Sequence, residues 1–366
     1  MGREELNAVR REIDNVDERI LALFKERMAL SGKIAEIKRE GNIGLVDEDR
    51  ERAVLLKAAA SVPEELAGDA ASLMSALIAS SKRLQISKLT GCDTVVFPEP
   101  ARCDPSAAGY QGVPGAWGEI AARSLYPDCE LKQYPYFEDV FEAVTPRQVG
   151  VVPIENSRTG AIGEVYDLLR RHGCYIVGQT WVGIRHCLMA NPGTELADVR
   201  EVLSHPEGFR QCHLYLKKFA WDKTVCTNTA VAAETVAGRS DKRSAAVGSA
   251  RAAELNGLTV LVPDIMDSAD NRTRFIAIAK EPWYTEESDT VSVTFSTAHR
   301  SGALCHVLEA FMAAGINLTR IESRPAPGGK YRFFTDLQAN IADALPALNR
   351  AAALCEYFEV LGCYRS

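Results

Sequence analysis

The chain has 366 residues, 46% of them hydrophobic and 25% charged, with a formal net charge of -7 and a pI near 5.6. That length exceeds a single small core and predicts two or three domains, while the acidic balance argues against nucleic acid as a main partner. No apolar run approaches the roughly eighteen residues of a membrane span, and ten cysteines without a paired Cys-x-x-Cys framework, behind the charged start MGREELNAVRREID, point to reduced thiols in the cytoplasm.

Leu6, Val9, Ile13, Val16, Ile20, Leu23, Leu30, Ile34 and Ile37 recur at three- and four-residue steps, which predicts one long helix over about 5–39. Gly41 and Gly44 break the chain before a second helix from Asp47 to about Ala60. A third runs from Pro63, a residue suited to a first helical turn, to about Lys88. No strand pattern falls in residues 1–90. Residues 91–106, with three prolines in CDTVVFPEPARCDPS, read as a linker.

The first helix also carries the chemistry. At about 100° per residue, Arg27 and Lys38 lie within roughly 20° of each other and can share a ligand, whereas Arg10 sits roughly 100° from Arg27 and serves another. Asp47, Arg50 and Glu51 open the second helix, and Ser81 and Gln85 lie four apart on the third. Taken singly, each cation also fits a solvated helix face. Together they describe a pocket for a small dianion.

From Gly109 the texture changes. Apolar runs at 149–154, 174–178, 199–206, 245–249, 258–263 and 274–279 alternate with helical stretches, an α/β pattern over 107–282. Gly109–Gly115 (GYQGVPG) reads as a strand and a Gly/Pro turn able to bring backbone N–H groups to an anion. Residues 152–160 (VPIENSRTG) follow a strand with hydrogen-bonding side chains, and Ser204-His205-Pro206 ends another. Asn271-Arg272-Thr273-Arg274-Phe275 opens an apolar strand; its threonine either reflects strand propensity or offers a hydroxyl beside cations to a leaving oxygen. After the break at 280–289, residues 288–366 read strand, helix, strand, strand, helix, strand, a ferredoxin-like βαββαβ unit.

In LNAVRREIDNVDERILALFKERMALSGKIAEIK, VDEDRERAVL and SSKRLQ, the first 90 residues resemble the all-helical chorismate mutases. The resemblance implies an all-α three-helix domain in an intertwined dimer, with Arg10, Arg27, Lys38, Asp47, Arg50, Glu51, Ser81 and Gln85 at active-site positions. It further implies that the first helix crosses to the partner subunit, where Arg10 completes the neighbour's pocket. The reaction, chorismate to prephenate, is pericyclic and needs no metal, cofactor or nucleophile. Arg10 and Arg27 would clamp the two carboxylates, Lys38 and Gln85 would donate to the breaking ether oxygen, and Glu51 would hold the ring hydroxyl.

From Gly109 to Lys280 the segments resemble prephenate dehydratase, whose signature is carried by Thr273, Arg274 and Phe275. That likeness implies two α/β lobes, resembling periplasmic binding proteins, around a cleft in which prephenate loses carbon dioxide and its hydroxyl to give phenylpyruvate. Thr273 would assist the departing hydroxyl, Asn156, Ser157 and Thr159 would line the cleft, and Arg274 would meet a carboxylate. Two positions depart from the family pattern: Gly118 follows Trp117 where Ser or Thr is usual, and Asn228 opens Asn-Thr-Ala where Ser-Thr-Ala is common. Gly302-Ala303-Leu304, Asn317-Leu318 and Glu322-Ser323-Arg324-Pro325 resemble the phenylalanine-binding motifs of ACT regulatory domains. The resemblance as a whole implies a bifunctional enzyme, a homodimer or homotetramer, inhibited by L-phenylalanine. Two other readings use the same motifs: a dehydratase that prefers arogenate, and a non-catalytic amino-acid sensor.

Overall fold

The computed structural model of the protein describes residues 2–41, 47–90, 95, 97, 99–100, 104–326 and 329–366. Helix α1 spans Gly2–Gly41, outrunning the predicted 5–39 at both ends. Glu4 and Glu5 in its first turn and Lys38 and Arg39 in its last oppose the helix dipole. Gly41 is its final residue, and Gly44 lies outside the described residues. Helix α2 spans Glu48–Ala60. Pro63 precedes a single 3-10 turn, Glu64–Leu66, that feeds α3, Ala67–Thr90. Helix α3 packs on both α1 and α2.

At 1.5 Å per residue α1 is roughly 60 Å long and α3 roughly 36 Å, so much of α1 outruns α3 and has no neighbour among the described residues of its own chain. Accordingly Leu6, Val9, Ile13, Val16, Ile20, Leu23, Leu30, Ile34 and Ile37 remain 41–64% exposed.

Most of the predicted linker at 91–106 lies outside the described residues. Val95 and Phe97 pack against the core of the C-terminal unit, and Phe97 meets the rings of Tyr175 and Tyr284 at 5.9 and 5.4 Å.

The α/β region runs β1 (Ala107–Gln111), α4 (Trp117–Leu125), β2 (Glu130–Tyr134), α5 (Phe137–Glu142), β3 (Gln148–Asn156), β4 (Gly160–Ala161), α6 (Gly163–His172) and β5 (Tyr175–Gly183). It continues with β6 (Cys187–Ala190), β7 (Glu201–Ser204), α7 (Pro206–Gln211), α8 (His213–Leu216), β8 (Asp222–Val225), α9 (Thr229–Arg239), β9 (Ser244–Gly248), α10 (Ala250–Leu255) and β10 (Thr259–Val262). The chain then returns as β11 (Arg272–Ala279). Strands β10-β6-β9-β7-β8 form one sheet. The other includes β5-β11-β3-β1-β2, so two lobes are joined at 184–186 and 263–271. Seven of the eight β11 residues are buried, as expected of a strand covered on both faces.

The C-terminal unit is β12 (Thr290–Ser296), α11 (Ala303–Met312), β13 (Asn317–Ala326), β14 (Lys330–Gln338), α12 (Ile341–Ala352) and β15 (Tyr357–Tyr364). Its strands lie in the order β13-β14-β12-β15, and β15 continues into β5, fusing it to the first lobe in one sheet. The join is the parallel pair Gly362 with Ile176, where a Cβ on Gly362 would overlap the Ile176 carbonyl. One apolar core contains Val152, Tyr166 and Ile276 from the first lobe together with Phe334, Leu361 and Tyr364.

Candidate active sites

In the helical region, α3 brings Ser81 against α1. Arg27 Nη1 donates to the Leu77 carbonyl at 2.6 Å and to Ser81 Oγ, and Ser31 Oγ donates to the Arg27 carbonyl at 2.9 Å. Ser31, Ser81 and Gln85 are buried in this seam, and Lys38 is half-buried further along α1. Burial lowers the Arg27 pKa from its ordinary value. Among the described residues Arg27 spends Nη1 on α3, and the other nitrogens of its five-donor fork suit a carboxylate.

Two of the expected residues are already engaged. Glu51 is held by Lys82 Nζ, at 2.5 and 2.6 Å from its two oxygens, a partner that SSKRLQ did not single out. Asp47 caps α2, accepting the Arg50 N–H at 3.0 Å, and the Arg50 side chain is exposed. Arg10 is exposed and lies seventeen residues before Arg27, roughly 25 Å along the helix. It therefore cannot join Arg27 within one chain.

The cleft between the two lobes is a cavity of about 460 Å³. Thr273, Asn156 and Thr159 line it, joined from the second lobe by His205, Gln211 and Asn228. Strands β11 and β3 pair Thr273 with Asn156. Asn156 Nδ2 donates to Thr273 Oγ1 at 3.0 Å and to Asn271 Oδ1 at 3.0 Å. Its Oδ1 accepts from the Arg158 and Thr159 N–H groups and from Thr159 Oγ1. With its oxygen accepting from Asn156, the Thr273 hydroxyl has its proton to give to an oxygen in the cleft.

Helices α4, α7 and α9 begin at this cavity, at Trp117, Pro206 and Thr229. The 9-residue α4 opens at Ala116 without a side-chain cap, which leaves its first-turn amides for an anionic ligand. The predicted anion cradle in the preceding turn is instead spent internally. The Gly112 N–H goes to Tyr134 O and the Gly115 N–H to buried Glu119 at 2.6 Å. Gly115, at φ +89°, lies against the Ala252 backbone of the second lobe.

Both departures from the family pattern are accommodated locally. A Cβ at Gly118 would sit 3.0 Å from the Gln111 carbonyl. Asn228 caps α9, its Oδ1 accepting the Val231 N–H at 2.8 Å, as a serine would.

The structure moves two expected ligands out of the cleft. Ser157 stitches β3 to β11 by exchanging backbone and side-chain hydrogen bonds with Arg272, and it does not line the cavity. Arg274 points to the opposite face of β11, because strand residues alternate. There it is buried, donating to Asp336 at 2.5 Å and to Tyr364 at 2.8 Å.

His186 was missed, since one histidine in GIRHCLMA gives no signal. It lines the cavity, is buried, and rests edge-on to Trp117. Gln211 donates to Glu207 at 2.7 Å and so presents its oxygen to His186 Nε2 at 3.0 Å. Burial lowers the His186 pKa, and the Gln211 oxygen makes Nε2 the nitrogen that donates in this contact.

In the C-terminal unit, Ser296, Arg332 and Arg324 stand side by side across β12, β14 and β13. Gly302, at φ +78° before α11, leaves that same end of the sheet, together with Ala303 and Leu304. Glu322, Ser323, Arg324 and Pro325 are part of β13, not a loop after it. Asn317 and Leu318 lie at the opposite end, paired with Gln338 and Leu337, so the three motifs do not meet within one chain. Arg324 turns away to α6, against Gly163 and 3.7 Å from Asp167.

Residues 9–86 match the chorismate mutase type II family, and residues 108–283 match the prephenate dehydratase family. The bifunctional chorismate mutase/prephenate dehydratase of Escherichia coli (strain K12) is 32% identical over 378 residues, covering 99% of this chain and 96% of the relative. Arogenate dehydratase/prephenate dehydratase 2 of Arabidopsis thaliana is 41% identical over 272 residues, covering 70% of this chain and 71% of the relative. A solved prephenate dehydratase from Arthrobacter aurescens in complex with L-Phe superposes with a TM-score of 0.65 at 27% identity, over 71% of this chain and 90% of that one. With a helical and a two-lobed part each matched to its own family, and a relative alike from end to end, the chain belongs to the bifunctional chorismate mutase/prephenate dehydratases and carries both activities.

Proposed function

We propose that the two reactions run in separate pockets, with a mutase domain at 1–90, a dehydratase domain at 107–282 and an ACT regulatory domain at 288–366. The contact of Arg27 with Ser81 supports the first pocket, and the Asn156–Thr273 hydrogen bond in the cleft supports the second. In the mutase pocket Arg27 and the neighbour's Arg10 clamp the carboxylates of chorismate. Lys38 and Gln85 donate to the ether oxygen as its bond breaks, and Ser81, Asp47, Arg50 and Glu51 complete the wall. Catalysis comes from holding the compact conformer and stabilising developing charge. In the cleft, Thr273 hydrogen-bonds the departing hydroxyl of prephenate while carbon dioxide leaves and the ring becomes aromatic. The uncapped α4 N-terminus receives a carboxylate, and Asn156 and Thr159 hold the threonine in place. Feeding chorismate to the purified protein and following chorismate, prephenate and phenylpyruvate together tests the whole sequence; accumulation of prephenate without phenylpyruvate would refute the second step.

The exposed stripe on α1 supports an intertwined homodimer. Burying each of its half-exposed aliphatic side chains contributes about 1 kcal/mol, and nine of them lie along one helix. Mixed dimers of Arg10→Ala and Lys38→Ala protomers then regain mutase activity, because one pocket of each hybrid is intact. Proven subunit exchange without recovery excludes the shared pocket.

L-phenylalanine inhibition is proposed at an interface between two C-terminal units, where Gly302 and Ser323 of one copy supplement Asn317 and Leu318 of the other. Calorimetry is expected to register phenylalanine binding to the native enzyme and its loss in Ser323→Trp, since the edge strand β13 then carries a bulky ring. Competition between phenylalanine and prephenate would place the effector in the cleft instead. The identity to the arogenate/prephenate dehydratase of Arabidopsis supports a second reading in which arogenate is also dehydrated; the ratio of kcat/KM for the two substrates decides it.

A further inference from the structure

Directly behind the cleft, four charged side chains form a square in which three sides are ion pairs and the fourth, Arg320 to Asp336, is a cross-strand register pair. Arg274 and Glu155 are cross-strand partners on β11 and β3, and Arg320 and Asp336 are partners on β13 and β14. Arg274 Nη1 lies 2.5 Å from Asp336 and 4.0 Å from Glu155, and Arg320 Nε lies 2.8 Å from Glu155. Side-chain exposure is 7% at Arg274, 8% at Asp336, 12% at Arg320 and 26% at Glu155. The corner at Asp336 is braced further: Ser292 donates to it at 2.5 Å, and Tyr364 bonds both Ser292 and Arg274.

The positions of the two first-lobe corners are the informative part. Arg274 follows Thr273 in β11, and Glu155 precedes Asn156 in β3. The pair that presents the hydroxyl to the cleft therefore sits on the same two backbone segments that the square grips from the opposite face, with alternation turning each neighbour away from its partner. A bulge between Arg274 and Phe275 shifts the β11–β3 register directly beside the pair. Both gripping residues, Arg320 and Asp336, come from the C-terminal unit.

We infer that the Arg274–Asp336–Arg320–Glu155 square is a positioning device for the Thr273 hydroxyl, through which the C-terminal unit sets the rate of dehydration. Arg274 and Glu155 are positioning residues that touch no substrate. The inference rests on Thr273 being the group that acts on the departing hydroxyl.

The test uses the full-length enzyme carrying Asp336→Asn or Tyr364→Phe, each also combined with Thr273→Ala, with near-UV circular dichroism and a thermal melt of every sample as the measure of folded protein. Asp336→Asn is expected to lower kcat for prephenate by about tenfold or more with KM within about twofold, and Tyr364→Phe to lower it less, because a small misplacement of a reacting group costs rate rather than binding. In the Thr273→Ala background neither change is expected to lower the residual rate further, since no hydroxyl is left to position. Unaltered kcat in the folded variants, or the same factor lost again without the hydroxyl, overturns the inference while leaving the threonine's role standing. Full activity of Thr273→Ala alone overturns that role, and this route with it. Should Asp336→Asn fail to fold for want of a counter-charge, Tyr364→Phe keeps all four charges and carries the test.

Discussion

Arg27→Ala is expected to slow chorismate rearrangement by roughly a hundredfold or more, the cost of removing one preorganised donor aimed at transition-state charge, while prephenate dehydration in the same preparation stays within about twofold of wild type. Lys38→Ala is expected to behave alike. The separation follows from geometry. Arg27 contacts α3, whereas every residue lining the cleft lies between 111 and 275. Because Arg27 also ties α1 to the Leu77 carbonyl, helical melting accompanies the rates and separates lost chemistry from lost packing. A fall of both activities together in a well-folded variant would mean that the two reactions share a site.

The second large effect is at Thr273. Replacement by alanine is expected to reduce phenylpyruvate formation by roughly a hundredfold with prephenate still bound, and replacement by serine is expected to keep part of the rate. Folding should survive the alanine change at a cost of about 1 kcal/mol, because Asn156 Nδ2 retains Asn271 Oδ1 and the Arg272 carbonyl as acceptors. Serine keeps the oxygen that accepts from Asn156 and the proton that faces the cleft, losing only the methyl that restrains its rotamer. Single-turnover decay of prephenate separates binding from chemistry. An alanine variant as fast as wild type removes the hydroxyl from the mechanism.

Elements with a strong internal rhythm were legible in the sequence: the α1 stripe, the apolar runs that became β3, β9 and β11, and the strand–helix order after residue 288. The short β7 and β10 also fell in predicted apolar runs, but polar strands and the short β6 did not. β2 (ELKQY) and β8 (DKTV) flank their sheets with mixed faces, and β6 (CLMA) is only four residues long. Their pairing is decided by neighbours far along the chain, which no local period records.

For the sites, the sequence by itself determined which chemical groups are present and which families they resemble, since Arg27, Ser81, Asn156 and Thr273 stand in motifs that survive as text. Tertiary structure alone decided where those groups point. Alternation along β11 sends Thr273 into the cleft and Arg274 out of it, and the fusion of β15 to β5 gives Arg274 a buried partner in Asp336, 62 residues away. Lys82 takes Glu51, and the turn at Gly115 gives its amide to Glu119. Hydrogen bonds and ion pairs are satisfied by whatever lies within about 3 Å in space, and that proximity is created by packing of apolar faces whose contacts the linear order does not contain.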